Sequence, residues 1–115
     1  MTDTFQGRRL PDTLFGDLPG GNLQPGDYWK CMNESGDPAQ SNELENLTGT
    51  IWQIVAPGTD GHGVATLTKH TVREEDDGTI SVRPGDGSSN SILVTSGSDG
   101  STYHGYIEHG VWTSV

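Results

Sequence analysis

Five side chains in this sequence have the chemistry to bind a metal or attack a substrate: His62, His70, His104, His109 and a single cysteine, Cys31. Neutral imidazoles and a thiolate are zinc ligands, and a thiolate beside an imidazole is a nucleophile pair. Their spacing supports neither use directly. His104 and His109 lie five positions apart in "YHGYIEHG", so on one strand they face opposite ways. Only a bulge or turn at Gly105 would bring them together. No two of the five show short zinc-finger spacing, and one cysteine allows neither an intrachain disulfide nor a CxxC pair. They stand as metal candidates whose convergence only the fold can decide, and the reading from sequence is that no metal is bound.

A second candidate is the loop after Arg83: Gly85, Asp86, Gly87, Ser88, Ser89 and Asn90. Backbone N–H groups in such a turn can cradle an anion, with the arginine beside them. Yet no Lys follows a Gly as a phosphate-binding P-loop requires, and only the first two glycines match G-x-G-x-x-G. Asp86, Ser88 and Asn90 also follow part of a calcium-loop pattern, but Ser91 stands where the glycine belongs and no Glu closes the loop. Gly, Ser, Asn and Asp are the ordinary residues of a connecting turn. The loop is retained as an anion or nucleotide candidate.

Acids at 74–77, "EEDD", read as solvated carboxylates at a hairpin tip. Gly97-Ser98-Asp99-Gly100 is one residue short of a G-x-S-x-G nucleophile elbow. The sequence thus carries no catalytic motif and points to a protein that is not an enzyme.

The elements that must position these residues are strands. From "GTIWQIV" onward the chain is rich in Thr, Ile, Val, Tyr and Trp between Gly-rich turns. Strands are expected over 27–31, 49–55, 65–74, 79–84, 91–96, 102–109 and 111–114, with a helical turn capped by Ser41. "TVREEDDGTISV" fixes one register: a three-residue loop, Asp76-Asp77-Gly78, with Gly78 left-handed. That pairs Glu75 with Thr79, Arg73 with Ser81 and Val72 with Val82. Val72, Ile80 and Val82 then face inward, Arg73 and Ser81 outward, and Glu74 lies opposite Ile80 at the sheet rim. The same register turns His70 inward beside Pro84. In "STYHGYIEHGVW", Tyr103, Gly105 and Ile107 share one face, and His104, Tyr106 and Glu108 the other. Tyr106 and Trp112 are the candidates for an exposed aromatic patch that binds a partner.

Residues 1–26 contain Pro11, Pro19 and Pro25 among scattered apolar residues (Leu10, Leu14, Phe15, Leu18, Leu23). Prolines at these intervals exclude a helical stripe. The segment reads as an extended arm docked on the body or on a neighbour, leaving 27–115 as the β-rich domain. The fold expected is mostly β: a single small antiparallel sandwich or open barrel with a Pro/Gly-rich arm.

Charge limits the partners. The 115 residues carry 16 acids against six Lys and Arg, a net charge of −10, which repels nucleic acids and anionic membranes alike. No apolar run is long enough to span a bilayer, and the N-terminus lacks the apolar region of a secretory signal. A cytoplasmic protein with no cofactor and a protein partner is the expectation. The glycosylation patterns at Asn33 and Asn46 read as chance in that setting.

"PGDYWKC", "LTGTIWQIVAP", "HTVREEDDGTISVRPGDGSSNSILV" and "YHGYIEHGVW" together resemble a family of small uncharacterised proteins of actinobacteria and their phages. The similarity spans roughly residues 25–115. It implies a phage or prophage accessory gene without an established activity. Members are sometimes labelled ammonia monooxygenase, but that enzyme is a multi-subunit membrane copper assembly, and this sequence offers neither a spanning segment nor a copper-ligand pattern. The expectation is a non-catalytic protein-binding module acting on a host or phage protein in the host cytoplasm. A virion decoration component and a small-ligand or nucleotide-sequestering protein are the alternatives.

Overall fold

Strand formation follows the β-branched and aromatic runs. The structure, a computed structural model, describes residues 4–39, 50–57, 64–67, 72–82, 92–95 and 102–114. These form eleven short strands and no helix: β1 (Thr4–Gln6), β2 (Arg8–Arg9), β3 (Thr13–Leu14), β4 (Asp27–Met32), β5 (Trp52–Ile54), β6 (Ala65–Leu67), β7 (Arg73–Glu74), β8 (Ile80–Ser81), β9 (Ile92–Thr95), β10 (Thr102–Glu108) and β11 (Val111–Ser114). One sheet runs β1-β11-β10-β9, all antiparallel. A second runs β2-β4-β5-β6, with β3 also on β4. Neither closes into a barrel.

The hairpin takes the register its turn dictates. Arg73 lies opposite Ser81 and Glu74 opposite Ile80. The Glu75 N–H donates to the Thr79 carbonyl at 2.8 Å, and Gly78 has a φ of 87°. That left-handed backbone suits glycine. Beyond β8, Val82 bridges Ile107 through two backbone hydrogen bonds, so β10 is flanked by β9 along its first half and by Val82 near its end.

The body is antiparallel as expected, and the arm adds parallel pairing to it. Arm strands β2 and β3 both run parallel to β4, pairing Arg8 with Asp27, Arg9 with Tyr28, Thr13 with Cys31 and Leu14 with Met32. The pairing lapses around Pro11, which has no N–H to donate. Before it, at Gly7, the arm crosses from the first sheet to the second. A Cβ there would stand 2.6 Å from the Gly110 carbonyl oxygen and 2.9 Å from that of Gly26, so the crossing requires a residue without a side chain. Residues 4–26 are thus hydrogen-bonded into both sheets.

Two apolar clusters hold the layers. Tyr28, Trp52, Ile54 and Leu67 from the second sheet meet Ile92, Tyr103, Ile107 and Trp112 from the first, with Val72, Ile80 and Val82 of the hairpin joining them. The opposite face of the second sheet carries Trp29, Cys31, Ile51 and Val55, covered by Leu10 and Ala39, with Leu23 at its margin. That sheet is therefore buried on both faces. All three tryptophans lie at or below 2% exposure. Burying a large apolar side chain is worth about 1.5–3 kcal/mol, which explains how 30% apolar residues suffice.

Candidate functional site

Cys31 lies on β4 inside the second apolar cluster with no exposed surface. Burial pushes its thiol up to about 11, where little thiolate exists at neutral pH. His104 is exposed on β10, and His109 sits at the β10–β11 turn with a φ of 48°. Neither joins Cys31. His62 and His70 lie outside the described residues, and among the described residues no three His, Cys, Asp or Glu side chains are grouped to hold a metal. Arg83 and Gly85, Asp86, Gly87, Ser88, Ser89 and Asn90 also lie outside them, as does the turn expected at Ser41.

The hairpin supplies a cluster that residue spacing alone did not single out. Ser81 points not to solvent but into a wholly buried position, which corrects its expected outward face. The β10–β11 turn covers it: the His109 N–H donates to Ser81 Oγ at 3.0 Å, and Ser81 Oγ donates to Glu75 Oε2 at 2.5 Å. Glu75 and Ser81 are diagonal neighbours across the strand pair, a contact the register contains once the face is known to be covered. His109 Nε2 lies 3.9 Å from the same Glu75 oxygen. The Ser81 hydrogen bond, aided by the charges of His109 and Arg73, holds the Glu75 carboxyl below its usual range. In a hydrolytic triad the imidazole stands between hydroxyl and acid. Here the acid takes the hydroxyl directly, so the arrangement fastens a turn and does not activate a nucleophile.

A second polar cluster caps Trp52. The Arg9 guanidinium lies 4.9 Å and the Lys30 ammonium 5.6 Å from the indole centroid, both within cation–π range. Both cations meet Glu74, Arg9 at 3.2 Å and Lys30 at 2.7 Å. Burial alone would raise the Glu74 carboxyl, but the hydrogen bonds and charges of Lys30 and Arg9 outweigh it and hold it lower. Arg9 also bonds Asp12 at 2.7 Å and the Gly78 carbonyl at 2.6 Å. Every charge here has a partner, so the cluster joins arm, central strand and hairpin.

An apolar groove lies beside β3 among the described residues. It has a volume of about 420 Å³ and is lined by Leu14, Phe15, Met32, Asn33, Glu34, Ala39 and Ile51, within the ~300–1,000 Å³ usual for binding pockets. Of the arm's apolar residues, Leu10 and Leu23 pack on the body, while Leu14, Phe15 and Leu18 stand 39, 48 and 59% exposed. Of the expected aromatic patch, Tyr106 is half-buried, and Trp112 is wholly buried with its indole N–H on the Gly26 carbonyl. Trp112 is therefore a core residue. The groove went unrecognised because a proline-broken sequence gives no periodicity to separate docked leucines from exposed ones.

Among the described residues no helix is long and apolar enough to cross a membrane. No protein-family model, curated protein or solved structure matches the chain.

Proposed function

We propose that this protein is a non-catalytic binding module, an accessory protein of phage origin that acts by holding another protein. One observation carries the reading: Leu14 and Phe15 line an apolar groove while holding apolar surface in solvent, and Leu18, three residues further along the arm, is exposed as well, on a chain of net charge −10. Contiguous exposed apolar surface marks interaction sites. The polar clusters at Ser81 and Trp52 support the same reading, since their charges and hydroxyls are committed to joining strands.

Affinity capture from an actinobacterial host lysate tests it. The wild-type protein is expected to retain a discrete partner that the double variant Phe15→Ser, Leu18→Ser does not. Both substitutions fall on exposed side chains, so the variant's thermal midpoint should stay near wild type. Retention of nothing above background by the wild type overturns the reading.

A further inference from the structure

We infer that the groove beside β3 takes a partner segment whose apolar side chains are flanked by Lys or Arg. The inference rests on the protein-binding reading and specifies the partner's chemistry. The lining is largely apolar, from Leu14, Phe15, Met32 and Ile51. One acid, Glu34, lines the groove, and two more have their backbones beside lining residues: the Asp17 N–H donates to the Leu14 carbonyl at 2.9 Å, and the Asp37 N–H donates to Asn33 Oδ1 at 3.0 Å. All three acids are exposed.

No described cation neutralises these acids. Arg8 is held by Asp27, Arg9 by Asp12 and Glu74, Lys30 by Glu74, and Arg73 by Glu75. Acids around one groove attract a basic segment and repel an acidic one over a Debye length of about 8 Å. Apolar contact supplies affinity, and the complementary charge selects the partner and speeds its approach. A nucleic acid or anionic lipid would meet the same repulsion as an acidic peptide, which leaves a polypeptide as the occupant.

Panning a random linear peptide library on the immobilised protein tests this directly. The enriched peptides should combine Leu, Ile, Phe or Met with Lys or Arg. A synthetic copy of the leading peptide should bind about tenfold more weakly when its basic residues become Glu, and raised salt should weaken the original. On Glu34→Lys, Asp37→Lys the basic enrichment should vanish while apolar enrichment persists, and Phe15→Ser should remove both. Enrichment without basic residues, equal enrichment on the Phe15→Ser variant, or no enrichment overturns the inference. So does a wild-type dimer that Phe15→Ser dissociates, because a second copy would then be the occupant. Lysate capture that depends on Phe15 and Leu18, alongside library peptides lacking basic residues, refutes this inference and leaves the protein-binding reading standing.

Discussion

The Trp112 indole N–H donates to the Gly26 carbonyl at 3.0 Å across 86 positions of sequence. One hydrogen bond thereby ties the last strand of the first sheet to the turn that launches the central strand of the second. Trp112 also meets Tyr103 edge to face at 5.3 Å between centroids, so the ring is fixed by packing as well as by its donor. Trp112→Phe keeps an aromatic ring but removes one of two donors to the Gly26 carbonyl, leaving the Arg8 N–H at 3.3 Å. The lost hydrogen bond should cost about 0.5–1.5 kcal/mol, read as a lower urea midpoint, with peptide binding at the groove unchanged.

Gly7→Ala tests the crossing between sheets. Its Cβ would press on the carbonyl oxygens of Gly110 and Gly26 and lie 3.0 Å from Trp112 Nε1. Two of those atoms are backbone and cannot rotate aside. Overpacking of this kind costs about 1–3 kcal/mol. The drop should show in thermal unfolding, whereas alanine at Gly20, where no atom lies within 4 Å of the new Cβ, should leave the midpoint unchanged.

Acid should unfold the protein through the hairpin carboxylates. Glu74, Glu75 and Asp77 all have their pKa lowered in the fold, so the unfolded chain binds protons more readily than the native one. Their stabilisation is present above the unfolded values, ~4 for such carboxyls, and is lost as pH falls through the lower folded values. Urea midpoints should hold above about pH 5 and decline below about pH 4. Glu74→Gln should flatten that decline and lower the neutral-pH midpoint only slightly, because a side chain 39% exposed is well screened.

How legible this was depended on how local the determining contacts are. The hairpin register followed from Gly78 together with the apolar pattern, since a three-residue loop with a left-handed Gly78 puts Val72, Ile80 and Val82 on one face, whereas a two-residue loop sets Arg73 against Val82. The alternating faces of Tyr103 to Glu108 were equally readable and match the burial along β10. Ser81 was misread because alternation assumes one wet face, whereas the β10–β11 turn covers the face opposite the core. The parallel course of the arm along β4 had no local signal, because Arg8 meets Asp27 only after 19 positions of intervening chain. The groove inherits that difficulty: it exists only where the arm, the end of β4 and Ile51 meet.

Cys31 should be nearly inert in the native state. With its thiol pushed up to about 11, the thiolate fraction at pH 8 is on the order of one in a thousand, and the sulfur is wholly buried. An aromatic disulfide reagent should react only as fast as the protein opens, and at once in urea. Rapid stoichiometric reaction of the folded protein would contradict the burial of β4.

Arg9 is the residue through which the arm is fastened. Its planar guanidinium does four things together: it lies over Trp52, bonds Glu74, bonds the Gly78 carbonyl and bonds Asp12. A lysine offers one rotatable ammonium in place of that fork and cannot serve these acceptors while keeping its charge over the indole. Arg9→Lys should therefore behave much as Arg9→Ala does, with both lowering the thermal midpoint. Because Arg9 lies between the Gly7 crossing and the Pro11 break, the first consequence is local opening of the arm before the body unfolds. Limited proteolysis should then cut within residues 4–26 at a rate that rises in both variants, while cleavage elsewhere keeps its wild-type rate. If Arg9→Lys matched wild type in both measurements, the planar fork would contribute nothing beyond its charge, and Arg8 on Asp27 would be the clasp that matters.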